Sequence, residues 1–78
     1  MNWRDHIVSD QNILLGKPTI KGTRISVELI LDLLSTGWSE KMILDSYPNL
    51  TDIDLKAVFS YLKEGLDNEL YLPLSKIA

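Results

Sequence analysis

Ten residues, Gly16-Lys17-Pro18-Thr19-Ile20-Lys21-Gly22-Thr23-Arg24-Ile25, constrain the fold of this chain more than any other stretch. Gly16 and Gly22 adopt positive φ at little steric cost. Pro18 fixes its own φ and holds Lys17 in extended geometry. The segment therefore reads as a shaped turn–strand–turn element rather than a linker. Its antiparallel partner is His6-Ile7-Val8, with Ser9, Asp10, Gln11 and Asn12 clustering as a turn between the two. Proline favours edge strands and strand starts, so the ribbon is expected to be short and to lie at the surface. A lone two-stranded ribbon is barely stable in water, so it must pack on other elements or on a second copy.

The remainder is helical. Ser26 is an N-cap for a first helix over Val27 to Ser35, apolar at Val27, Leu29, Ile30, Leu31, Leu33 and Leu34. Its polar stripe is only Glu28, Asp32 and Ser35, which predicts a helix that is central or sits in an interface. Gly37 supplies the C′ stop. Ser39 caps a second helix over Glu40 to Ser46 that buries Met42, Ile43 and Leu44, and Pro48 ends it near Tyr47. Thr51 caps a third helix, with Asp54 three residues on as a variant capping box. Leu55, Val58, Phe59, Leu62 and Leu66 give it a core face, with Ile53, Ala57 and Tyr61 beside it and Asp52, Lys56, Ser60 and Lys63 outward. A domain over residues 1–69 and an apolar tail over 70–78 follow from this division. Pro73 rules out a smooth continuation of the third helix into that tail.

The chain has 78 residues and no cysteine, so neither a disulfide framework nor a thiolate metal site is available. Trp3, Arg4, Asp5 and His6 interrupt any signal-like apolar region, and no run approaches the roughly 20 apolar residues needed to span a bilayer. A cytoplasmic protein with no membrane partner is expected. Residues 1–25 hold Arg4, Lys17, Lys21 and Arg24 against Asp5 and Asp10, a net +2, whereas residues 26–78 hold four lysines against nine carboxylates, a net −5. Phosphate neutralisation dominates nucleic-acid affinity, so DNA contact would fall to the N-terminal part, to a dimer that doubles it, or to a complex with a basic partner.

Catalytic signals are lacking. One histidine, His6, leaves no base for most nucleophilic arrangements, and no phosphate loop, dinucleotide fingerprint or nucleophile elbow is present. No enzyme activity, cofactor or metal is expected, and His6 reads as an ordinary strand residue. Two readings of Gly22-Thr23-Arg24 remain open. In one, Arg24 contacts phosphate or an acidic partner. In the other, Gly22 makes the turn, Thr23 bonds backbone, and Arg24 pairs with a carboxylate such as Glu28. Trp38 reads as a core seal and Trp3 as a partner anchor.

The stretch from Gly16 to Val27, followed by Gly37, Tyr47-Pro48-Asn49-Leu50-Thr51 and an apolar third helix, closely resembles the signature of family 433 of the domains of unknown function. The resemblance covers roughly residues 6 to 64. It implies a mainly α fold: a three-helix, homeodomain-like helix-turn-helix preceded by a short N-terminal β-ribbon. It also implies a VapB-type antitoxin partnered by a PIN-like nuclease toxin. A recognition helix presents its N-terminal residues to base edges, and here that turn carries Asp52 and Asp54. The residues expected on operator DNA are therefore Lys17, Lys21 and Arg24, with Lys56 from the third helix. Those expected on the toxin are Leu70, Tyr71, Leu72, Leu74 and Ile77 of the tail; in the alternative reading Leu70, Leu72, Leu74 and Ile77 fold back onto the protein's own core or a dimer mate. The weak ribbon and the apolar first helix predict a homodimer. A stand-alone helix-turn-helix transcriptional regulator is the alternative, and a pure protein-interaction module is a third possibility.

Overall fold

A computed structural model describes residues 1–68. A 3-10 turn at Trp3–Asp5 leads into β1 (Ile7–Val8), a second 3-10 turn at Leu14–Gly16 and β2 (Thr19–Ile20). Three helices follow: α1 (Val27–Ser35), α2 (Glu40–Ser46) and α3 (Asp52–Asp67). The fold is mainly α, with the expected ribbon ahead of three helices. Ile7 faces Ile20 and Val8 faces Thr19 in the antiparallel pair.

The ribbon is short, as expected, but β2 does not lie at the surface. Ile20 donates to the Ile25 carbonyl at 2.9 Å and Val27 donates to the Pro18 carbonyl at 2.9 Å. Thr19 also bridges to Ser26. The chain thus closes around β2 from both sides, and Thr19 and Ile20 are fully buried. Pro18 is tolerated because it stands at the strand start and contributes its carbonyl, not the N–H it lacks. The Thr19 hydroxyl, taken out of water, donates to the Val8 carbonyl at 3.4 Å.

Each helix begins where its cap dictates. Ser26 Oγ accepts from the Leu29 N–H at 3.0 Å, and Ser39 Oγ accepts from the Met42 N–H at 3.1 Å. Thr51 Oγ1 accepts from the Asp54 N–H at 3.2 Å while Asp54 Oδ2 accepts from the Thr51 N–H at 3.0 Å, closing a capping box. At the end of α1, Gly37 takes φ +103°. Trp38 then donates back to Leu33 at 3.0 Å and Gly37 to Leu34 at 3.2 Å, the paired bonds of a Schellman motif.

The core consists of Ile7, Ile20, Val27, Ile30, Ile43, Leu50, Leu55, Ala57 and Val58. Trp38 packs against it, as does half-buried Leu62. Phe59, Leu66, Ile53 and Met42 depart from expectation, being 46%, 53%, 47% and 45% exposed. Ser60 is half-buried rather than outward. The buried face of α3 is centred on Ala57, Val58 and Tyr61, where the Trp3 turn packs, and this leaves Phe59 and Leu66 at its edge and brings Ser60 under cover.

A Cβ placed on Gly37 would meet no atom within 4 Å, so Gly37→Ala carries a backbone cost alone. The expected destabilisation is about 1 kcal/mol, read as a lower urea midpoint with an unchanged slope. An unchanged midpoint would contradict the Schellman assignment.

Candidate interaction site

The displayed element is built around Gly22, which takes φ +80°. That conformation suits the third position of a type II turn. Thr23 donates its N–H to the Ile20 carbonyl at 3.0 Å, closing the turn. The Thr23 hydroxyl donates to the same carbonyl at 2.8 Å and accepts from the Ile25 N–H at 3.0 Å. Gly22 and Thr23 are therefore structural, as one of the two open readings held. Arg24 does not complete that reading. Glu28 lies 3.5 Å from Lys17 instead, and Arg24 stands exposed. Among the described residues, the lysines and arginines with no carboxylate within 4.0 Å are Lys21, Arg24 and Lys56.

The turn is tied to α3. Lys21 donates its N–H to the His6 carbonyl at 2.8 Å, and His6 Nδ1 lies 3.1 Å from Asp54 Oδ1. His6 is thus not an ordinary strand residue, because it joins the ribbon to the start of α3. Asp54 serves the cap with one oxygen and the ribbon with the other. Lys56, two residues on, lies about 200° around the helix from Asp54 and is exposed. It points away from the ribbon and does not join Lys21 and Arg24. The first turn of α3 offers an exposed Asp52 and an engaged Asp54 where a base-reading helix would meet phosphate. Leu70, Tyr71, Leu72, Leu74 and Ile77 lie outside the described residues.

A second cluster escaped sequence reasoning. The Trp3 ring meets Tyr61 edge-on at 4.8 Å, and its Nε1 donates to Glu64 Oε2 at 3.1 Å. Arg4 donates to the same carboxylate at 3.0 and 3.4 Å and lies 4.4 Å over the Trp3 ring. Trp3 is therefore an internal brace on α3, not the partner anchor expected. No periodicity announces such a contact, since the partners stand about sixty positions apart in sequence. An open groove of about 360 Å³ lies here, between Arg4 on one side and Lys63 and Asp67 on the other. Lys63 and Asp67 pair with each other at 2.7 Å, and Arg4 is held by Glu64. Among the described residues no group of three or more His, Asp or Glu stands close enough to hold a metal ion, and no helix is long and apolar enough to cross a membrane.

The comparisons with known proteins agree with this architecture. Residues 7–62 match the family described as Protein of unknown function (DUF433). The chain belongs to that family. The matched stretch takes in the Gly22 turn, Gly37, Tyr47-Pro48 and the capping box of α3. A DUF433 member protein from Anabaena variabilis, solved by crystallography, is similar in structure with a TM-score of 0.75 and 28% sequence identity. The similarity covers 83% of this chain and 64% of that one, so the present chain spans less than two thirds of its neighbour. No curated protein matches the chain.

The double duty of Asp54 is open to test by denaturant unfolding. Asp54→Ala should cost about 2 kcal/mol, more than the roughly 1 kcal/mol of Thr51→Ala, because it removes both a cap and the His6 partner. A His6→Ala, Asp54→Ala double-mutant cycle should show a coupling of about 0.5–1 kcal/mol. A coupling of zero would mean that the side chains meet without stabilising the seam.

Proposed function

We propose that this DUF433 chain is the antitoxin-like member of a toxin–antitoxin pair, binding and inhibiting a PIN-like nuclease. The observation that carries the reading is the acidic helical body. Asp32, Glu40 and Asp52 are exposed and have no cation within 4.0 Å among the described residues. A nuclease must draw phosphate into its channel, so an acidic partner suits that channel and associates with it quickly. The apolar segment from Leu70 to Ile77 would supply the buried part of the contact.

Operator DNA is a second ligand under this proposal, favoured by one observation. Lys21 and Arg24 stand on a hydrogen-bonded turn with no carboxylate within 4.0 Å among the described residues. They would contact phosphate, with Lys56 as a separate contact and Lys17 already engaged by Glu28. A stand-alone helix-turn-helix regulator would use the same residues without a nuclease.

Affinity capture from native lysate, with the intact chain beside one ending at Glu69, separates these readings. The antitoxin reading predicts a PIN-like nuclease on the intact bait and its loss from the truncated one. Capture of no nuclease by either bait would contradict it. Operator binding predicts that Lys21→Ala with Arg24→Ala weakens DNA affinity and lowers its salt slope by roughly two. An unaltered titration would remove the turn from the DNA surface.

A further inference from the structure

The hairpin that carries Lys21 and Arg24 ends in a narrow tip. Ile20 donates to the Ile25 carbonyl at 2.9 Å and Thr23 donates to the Ile20 carbonyl at 3.0 Å, so residues 21–24 form a loop closed at its base. Two of its residues offer no side chain to a ligand. Gly22 has none, and a Cβ placed there would meet no atom within 4 Å beyond its chain neighbours. The Thr23 side chain is turned back, its hydroxyl donating to Ile20 and accepting from Ile25. What the tip presents is one ammonium and one guanidinium. Both residues are exposed, and neither has a carboxylate within 4.0 Å among the described residues.

Two charges are few for a duplex. Each neutralised phosphate adds about 0.9 to the salt slope, so two phosphate contacts alone give weak binding, and here they stand on a chain of net charge −3. A helix laid in the major groove does not make up the difference. α3 begins with an exposed Asp52 and with Asp54 engaged by Thr51 and His6, and Lys56 points away from the ribbon. The charge of the tip therefore counts most where the duplex potential is deepest, in the narrow minor groove of A·T-rich sequence. The two side chains are not equivalent there. A guanidinium is flat and more weakly hydrated than an ammonium, so it leaves water for a groove about 6 Å wide at lower cost. An ammonium keeps more of its hydration at the phosphate rim.

We infer that Arg24 is the sequence-reading element of this fold, its guanidinium entering the minor groove of A·T-rich duplex DNA while Lys21 holds a phosphate at the rim. Gly22 leaves the space between the two cations clear of side chain. Inside the groove the Arg24 charge lies between two phosphate rows, so it still displaces counterions. This role rests on the operator reading of the turn and adds to it a groove, a base composition and a division of labour.

Fluorescence anisotropy of the intact chain on two duplexes of equal length, one with a central A·T tract and one all G·C, tests that role at a single salt concentration. The wild type should prefer the A·T duplex about tenfold, the discrimination that one good groove contact supplies. Arg24→Lys keeps the charge and should lose the preference, with the G·C affinity unchanged to within about twofold. Lys21→Ala should weaken both duplexes by a similar factor and keep the preference. Both variants should melt as the wild type does, because neither side chain has an internal ion pair among the described residues. A wild type that binds both duplexes equally, or an Arg24→Lys variant that keeps the preference, would overturn the role of Arg24 and leave phosphate contact by the turn standing. A wild type that binds neither duplex would overturn the operator reading with it.

Discussion

One carboxylate organises this small protein. Asp54 accepts from the Thr51 N–H with one oxygen and meets His6 with the other. The carbonyl of His6 in turn receives the Lys21 N–H. The start of α3, the first strand and the displayed Gly22 turn are thereby joined through a single side chain, itself mostly buried. A two-stranded ribbon has little stability alone. Here it persists because it is fastened to the longest helix at this point and because the chain closes over β2 from its other side.

The second fastening is the Trp3–Arg4 brace on Tyr61 and Glu64. It uses an edge-on aromatic contact, a stacked guanidinium and a shared carboxylate. Together the two seams hold the cationic N-terminal part against an acidic helix. Opposite charge thus works inside the fold and remains available outside it. Lys21 and Arg24 project from the ribbon, while Asp32, Glu40 and Asp52 line the helices. A molecule with this division suits binding, and the proposed nuclease and operator contacts would draw on its two faces separately.

Much of this was legible in the sequence because it is local. Ser26, Ser39 and Thr51 mark the helix starts, Gly37 and Pro48 mark two ends, and Gly22 marks the turn. Each acts through backbone geometry within a few residues. The pairing of the Pro18 block with the Ile7 segment was legible for the same reason, whereas its register came from the structure. The depth of α3's burial was not legible. Leu55, Val58, Phe59, Leu62 and Leu66 share one helical repeat, but the buried face is centred on Ala57, Val58 and Tyr61, a rotation set by the Trp3 turn that packs on α3. The brace at Trp3 and the His6–Asp54 seam join residues far apart in sequence, and a single histidine carries no periodic signal. The left-handed backbone at Leu14 and Leu15 runs against the preference of leucine, so no sequence signal announced it.

Amide hydrogen exchange in the intact protein, compared with an Asp54→Ala variant, tests the central role of Asp54 most directly. The Lys21 amide and the first-turn amides of α3 should lose protection together in the variant, because one side chain holds both. A Lys21 amide that keeps its full protection while α3 loosens would show that the ribbon is held by other contacts and that Asp54 is only a helix cap.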